Sequence, residues 1–545
     1  MNGERKSSGR DYWDVVLERL ARRRPFRLAL AVLALLYASA IYAPLLANDR
    51  PFWLEAIDYR AFEQARRILV PATSELVVLL AEGETSARPR AGALDDQGHA
   101  VTSRTETLER YLPADERAGP RALRTEVERA LELARADRWR EAQEAAAGLW
   151  ARAQDLSARL VPIQPGKEGG TVELRPALSF PLFEATSGLE AFFMVAWAFV
   201  LSFPAWNRLV NRVWLGGDRE RIRRARKRKL ACVLGVAFGS GFLWQVVVGG
   251  EMAFHTAPYK EALTRGDILA TRVLFPPIAF GFAETHLEEA LRPPTWTSAS
   301  ETLAERVPVE VRFGEPAEDA AWRHPLGADG LGRDGLGRIL WGGRVSLSVG
   351  LVSTAVLMTI GILVGALAGY FGGWLDFLLS RAIEIVMCFP VFFLILVVVA
   401  FLGPSILTIM VVLGALRWTG VARLARGEFL RLKALDFVVA ARATGLSSAR
   451  ILFRHVLPNA MGPLLVAASF SLASGVLIES GLSFLHFGIQ DPIPSWGALL
   501  NESQQAAHWW IHVFPGCFIF LTVLCTNLVG DAVRDAMDPK LEVGP

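Results

Sequence analysis

Cysteine is scarce in this chain. The four in 545 residues, Cys232, Cys388, Cys517 and Cys525, all fall in apolar stretches, so a disulfide framework is excluded and they read as buried packing residues. There is no G-x-x-x-x-G-K-[ST] sequence. The nearest fragment, Pro165-Gly-Lys-Glu168, misses both the spacing and the hydroxyl, so the chain supplies no nucleotide hydrolysis of its own through a P-loop. Histidines number eight, and only His508 and His512 in HWWIH lie four apart on one prospective helical face. Without a third ligand at a diagnostic spacing they are not read as a metal site, and no cofactor is expected. No nucleophile, base and orienting group converge in the apolar runs, so no catalytic residue is assigned and the chain is not read as an enzyme. A nucleic-acid partner is not expected either.

Apolar residues are abundant. They make up 52% of the chain, mean hydropathy is +0.30, and near-spanning runs occur at about 28–47, 189–206, 230–249, 345–370, 383–402, 406–424, 460–480 and 509–528. Because about 20 apolar residues cross a bilayer, these eight runs predict an all-α polytopic membrane protein. The first run reads as a retained span rather than a cleaved signal, because it is long and no small-x-small site follows closely.

The net charge of +3 conceals where the cations lie. Arg19, Arg22, Arg23, Arg24 and Arg27 precede the first run, a block fills 221–229, and Arg423, Arg426, Arg431, Lys433, Arg442, Arg450 and Arg454 follow the sixth, whereas 483–508 has no Lys or Arg. Basic residues in short loops stay cytoplasmic, so alternating the spans puts both termini inside. The resulting divisions are a cytoplasmic tail 1–27, a first span 28–47, an extracytoplasmic domain 48–188, a helix pair 189–249 with a basic cytoplasmic loop 207–229, an extracytoplasmic segment 250–344, a core 345–530 with a cytoplasmic loop 427–459, and a cytoplasmic tail 531–545. Within 48–188, the stretch RALRTEVERALELARADRWREAQEAAAGLWARAQDL places Leu123, Val127, Leu131 and Leu133 near helical spacing, as in a small helical domain packing on itself.

GLGRDGLG, 330–337, has the G-x-G-x-x-G spacing of a dinucleotide cradle, but no strand precedes it and it falls outside the cytoplasm just before a span. Its glycines and Asp334 read instead as a tight turn ahead of a span beginning near Val345. The loop 427–459 is longer than the usual ~2–8-residue helix connection and predicts structure of its own: a helix up to Thr444, a stop at Gly445, a second helix capped by Ser447, and a break at Pro458. Ala440, Ala441 and Gly445 would let another protein approach the backbone, with Arg442 as a polar anchor.

From His324 to about Leu541 the sequence resembles the membrane permease subunits of binding-protein-dependent ABC importers, specifically the C-type subunit of dipeptide, oligopeptide and nickel systems. The resemblance rests on HPLGADGLGRDGLGRILWGGRVSL, GYFGGWLD, ARLARGE, AARATG with LPN, ESGLSFL, PSWG and NLVGDAVRDAMDP in order. It implies a bacterial inner-membrane protein with a B-type permease partner, two ATPase subunits that bind the ATP and Mg, an extracytoplasmic substrate-binding protein, and import of peptides or a related small solute. It also implies that Ala440, Ala441, Gly445, Leu457 and Pro458 belong to a coupling helix seated in an ATPase groove, with Val439 where the family has a Glu. Glu479 and Trp496, inside family motifs, are candidates for lining the pathway. Glu384 and Arg417 are expected near the cytoplasmic ends of their helices, able to pair or snorkel. The family typically has six spans, so 48–300, with its extra helix pair, reads as an insertion, and its basic block as topology control. The alternatives are a membrane-anchored scaffold or sensor working through the extracytoplasmic domain, and an ion-coupled secondary transporter.

Overall fold

The computed structural model describes residues 12–82, 91–165, 169–213, 219–249, 259–294, 324–502 and 508–537. Among the described residues six helices are long and apolar enough to cross a membrane: α1 (Arg24–Ile41), the Arg228–Val247 part of α9, α10 (Gly335–Phe371), α13 (Ile406–Lys433), α15 (Ser448–Phe484) and α17 (Trp509–Met537). The other two apolar runs are bent pairs. Gly188–Leu201 (α7) and Phe203–Val213 (α8) meet at 69°, and Gly373–Met387 (α11) and Val391–Leu402 (α12) at 80°. Each bend has a proline at or just after it, Pro204 and Pro390, where a fixed φ and a missing N–H interrupt the helical ladder. The expected unbroken fifth span is therefore two helices.

The chain is not purely helical. Trp53–Asp58 (β1) pairs antiparallel with Ala177–Ser179 (β2) and Ile268–Leu274 (β3), so Leu54 faces Ser179 on one side and Val273 on the other. This small sheet ties together the two long segments on either side of the helix pair. Between β1 and β2, α2 (Tyr59–Glu82), α3 (Ala91–Tyr111), α4 (Ala118–Arg135), α5 (Trp139–Ala146) and α6 (Leu149–Arg159) enclose their own core. Phe62, Leu69, Leu76, Leu108 and Leu149 are buried in it together with Leu123, Val127 and Leu131, while Leu133 is partly buried against it. The helix pair is α7 with α8 and α9 (Arg219–Val247), where Lys229 Nζ donates to Asn207 Oδ1 at 2.9 Å. Residues 214–218 of the basic loop, the PGKE fragment from 166 onward, 250–258 and 295–323 lie outside the described residues, as do 538–545.

In the helical core, α10 and α13 cross closely because α10 has glycines four residues apart at Gly361, Gly365 and Gly369. A Cβ on Gly365 would sit 2.4 Å from the Ala422 carbonyl oxygen, and one on Gly369 2.6 Å from that of Arg426. Helices in lipid gain from such small faces, since backbone approach replaces the missing hydrophobic drive. The cysteines correct an expectation: Cys525 is buried, but Cys232, Cys388 and Cys517 are exposed and free. Hydropathy marks a residue as membrane-compatible without saying whether protein or lipid covers it.

Candidate functional site

The loop 427–459 is almost wholly helical. α13 runs on to Lys433, whose Nζ donates to the Gly369 carbonyl oxygen at 2.8 Å, and Arg426 Nη2 donates to Asp376 Oδ2 at 2.8 Å. These bonds fix the end of α13 to α10 and α11. A short helix, α14 (Asp436–Ala443), follows and stops at Gly445, whose φ of +77° is a conformation glycine adopts without strain. Ser447 occupies the N-cap position of the next helix, but its side chain makes no capping bond. Pro458 corrects the expectation of a break, because α15 is continuous from Ser448 to Phe484. The turn before the proline, Leu452–Val456, is a π-helix, so the change of hydrogen-bond register falls where proline has no N–H to offer.

α14 is seated by Val438 and Ala441, buried with Phe429 and Leu432 of α13, Leu357 of α10, and Ile451 and Val456 of α15. Ala440, Arg442, Gly445 and Pro458 are exposed, and Leu457 packs half-buried on the same cluster. The six residues singled out from sequence therefore divide into an outward set and an inward set. Sequence reasoning named Val439 only as the residue in place of the family Glu and passed over its apolar neighbours that also project: Leu435 is 40% exposed, Phe437 39%, Val439 56% and Phe453 59%. The available signal was the i, i+3 pair Val438 and Ala441, which fixes the inner face and turns their neighbours outward.

Deeper in the bundle, Glu479 is wholly buried. Ser346 Oγ donates to its Oε2 and Ser483 Oγ to its Oε1, both at 2.8 Å, and Ser346 Oγ accepts from the Trp496 backbone N–H at 3.2 Å. Trp496, 1% exposed, donates its indole N–H to the Ile339 carbonyl oxygen at 3.0 Å. In this conformation both pathway candidates join α10, α15 and α16 (Trp496–Glu502) as interior groups. Glu384 is exposed on α11 and pairs with Arg381, while Arg417 lies within α13, well short of the helix end expected for it, and its Nη2 donates to Ser474 Oγ of α15.

The glycine-rich segment is neither a phosphate cradle nor entirely a turn. α10 starts at Gly335, ten residues before the expected Val345, with Asp334 as N-cap accepting from the Gly337 N–H at 2.6 Å. The turn precedes it: Asp329 Oδ1 accepts from the Leu331 and Arg333 N–H groups at 2.8 and 2.9 Å, and Gly335 N–H bonds the Gly327 carbonyl oxygen at 2.8 Å. These amides are committed internally. Gly332, at φ +73°, lies so near the His286 carbonyl oxygen that a Cβ would be 1.7 Å from it.

Ionic bonds brace the turn from two sides. Arg333 Nε donates to Asp329 Oδ2 at 2.7 Å and its Nη1 to Asp491 Oδ2 at 2.9 Å, while the buried Arg338 donates Nη2 to Glu502 Oε1 at 2.8 Å. His324 sits between Asp334 Oδ1 at 2.8 Å and Glu289 Oε2 at 2.9 Å, stacked on Phe280. Burial alone would depress His324, but its hydrogen bonds to Asp334 and Glu289 outweigh that and push its pKa up to about 9. Burial likewise opposes the charge of Glu289, yet its hydrogen bond to His324 holds it below the usual carboxylate range.

Residues 361–543 match the family described as the binding-protein-dependent transport system inner membrane component. The oligopeptide transport system permease protein OppC of Haemophilus influenzae is 42% identical over 219 residues, 40% of this chain and 70% of that protein. The dipeptide permease DppC of Alkalihalophilus pseudofirmus is 38% identical over 46% of this chain and 82% of its own length. The glutathione permease GsiD of Pectobacterium atrosepticum is 41% identical over 42% of this chain and 76% of its own length. The chain belongs to this permease family.

As a permease it is a multi-pass membrane transport subunit, and the sensor and ion-coupled readings are not favoured. α14, Arg417, Glu479 and Trp496 all lie within the part of the permease that the family match covers, whereas residues 1–360 precede it.

Proposed function

We propose that this permease imports peptides or a related small solute, pairing with a B-type permease to form the path and drawing energy from two ATPase subunits that bind ATP and Mg. The names of the relatives, which transport oligopeptides, dipeptides and glutathione, support the substrate class. In this reading the chain carries no ATPase site of its own, lies in the bacterial inner membrane with both termini and α14 in the cytoplasm, and receives substrate from an extracytoplasmic binding protein.

The observation that carries the proposal is the build of α14. An exposed apolar surface in a cytoplasmic loop calls for a partner, and Phe437, Val439 and Ala440 form one on a short helix held by Val438 and Ala441. Its inner side is continuous with α10, α13 and α15 through one buried cluster, so a displacement of α14 reaches the spanning helices directly. Coupling requires that ATP favour one of two bundle packings over the other, and such a rigid lever transmits that bias. The test is co-purification of the permease with the ATPase subunits encoded beside it, followed by ATP-dependent uptake of labelled peptides into vesicles. A complex that forms and takes up peptide supports the proposal; ATPase subunits that bind equally well when Ala440 is replaced by Glu overturn the docking assignment.

A further inference from the structure

Arg417 is placed where a charge needs a reason. It lies about 16 Å along α13 from the Ile406 end, close to the middle of a ~30 Å hydrocarbon layer. Its Nη2 donates to Ser474 Oγ, and among the described residues its buried Nη1 has no hydrogen-bond partner and the guanidinium makes no ion pair. A guanidinium at this depth does not face lipid without heavy cost and by default marks a polar path. Ser474 on α15 is half-buried, and its hydroxyl donates in turn to the Ser471 carbonyl oxygen at 3.1 Å, so a hydroxyl already engaged elsewhere is the guanidinium's partner.

We propose that Arg417 receives the carboxylate of a substrate in transit, so that this permease selects for solutes with a free carboxylate group. The planar guanidinium offers two parallel N–H donors to one carboxylate, a match that an ammonium or amide lacks. Nη1, buried and unpartnered in this conformation, supplies one donor and Nη2, exchanging Ser474 for the ligand, supplies the other. A single hydroxyl partner holds the guanidinium in place without neutralising it, which leaves its charge for the passing anion. This inference rests on the importer reading above and narrows its substrate class.

The test compares a labelled tripeptide bearing a free C-terminal carboxylate with the same tripeptide amidated, in vesicles containing the complete transporter and its binding protein. The binding protein is the same throughout, so its own preference cancels when the free-to-amidated ratio of kcat/KM is compared between permeases. Arg417→Gln is expected to lower that ratio about tenfold, with Arg417→Lys between, while ATPase co-purification is unchanged. An unchanged ratio overturns the inference, whether uptake is unaffected or both peptides are lost equally; equal loss with a weakened complex would mean that Arg417 pairs with a partner chain. Wild-type vesicles that take up neither peptide would overturn the peptide reading itself, and this inference with it.

Discussion

Arg344 Nη2 on α10 lies 2.7 Å from Glu190 Oε1 on α7, so a charge at the start of one helix meets a charge on another that lies about 150 residues away in the chain. Glu190 is 4% exposed and also closes the capping box that starts α7, accepting from the Ser187 N–H at 3.0 Å, while Arg344 rests over the Trp341 ring. α7 is thus fastened to α10 by a group that has a second duty in its own helix. Removing one partner of a buried pair strands the other, so Glu190→Gln is expected to destabilise the purified permease by about 3 kcal/mol. A double-mutant cycle with Arg344→Gln in thermal melting should show that the two losses do not add. Additive losses would mean that the pair is incidental.

His324 sets a pH limit on the glycine-rich turn. Its pKa rises from 6.5 to about 9 on folding, so its contribution is complete below pH 6.5, drains as pH rises, and is gone above about 9. The shift corresponds to about 3 kcal/mol. Glu289, held low, acts in the opposite sense and is lost only as pH falls below the carboxylate range, so stability from this cluster peaks on the acid side of neutrality. Melting temperature should decline between pH 6.5 and 9 in the wild type and less steeply in His324→Gln. Some slope will remain, because His286, bonded to Glu284 at 3.0 Å, is raised in the same direction. Equal slopes in the two proteins would rule out His324 as the cause.

Patterns that repeat along the chain were legible in the sequence, and features that depend on distant segments were not. The apolar runs located the spans, and Leu123, Val127 and Leu131 announced a helical core in the insert. The three-stranded sheet escaped notice because β2 has only three residues and both strands that pair with β1 lie more than a hundred residues from it in the chain. Asp334 was recognised as important to the turn, but its role as N-cap was not, since hydropathy begins α10 at Val345 whereas the capping carboxylate begins it at Gly335. Arg417 shows the same limit. Its partner Ser474 lies on another helix, so nothing local along the chain signals that one nitrogen of the guanidinium is buried without a hydrogen bond.

The split of the docking residues into outward and inward sets separates two effects that a single substitution would confuse. Ala440 is exposed and Ala441 is 8% exposed within the cluster that seats α14. Ala440→Glu should leave the melting temperature within the small range typical of surface changes, about 0.5 kcal/mol, while ATPase subunits are lost on purification. Ala441→Glu buries an unpaired charge and should lower stability and docking together. Gly445→Val, at a positive φ, should cost about 1–2 kcal/mol and shift the second helix of the loop. If Ala440→Glu retains the ATPases while Ala441→Glu loses them, α14 is a structural wedge rather than a docking surface.

Glu479 allows charge and hydrogen bonding to be told apart. Its two oxygens accept from Ser346 and Ser483, and Ser346 in turn accepts from the Trp496 N–H, so one carboxyl group links α10, α15 and the start of α16. Glutamine keeps the size of the side chain and an accepting oxygen, and the serine hydroxyls can rotate to accept from its NH₂ group, so Glu479→Gln should cost less than about 1.5 kcal/mol. Glu479→Leu leaves the Ser346 and Ser483 hydroxyls without their acceptor in a closed interior and should cost about 3 kcal/mol, read by thermal melting of the purified complex. Uptake then decides what the carboxyl group does. If its work is to hold the three helices together, uptake in vesicles should follow stability, near normal in Glu479→Gln and low in Glu479→Leu. A Glu479→Gln permease that melts like the wild type and still fails to transport would show that this carboxyl group must carry charge or a proton during the cycle, which the hydrogen-bonded arrangement alone does not require.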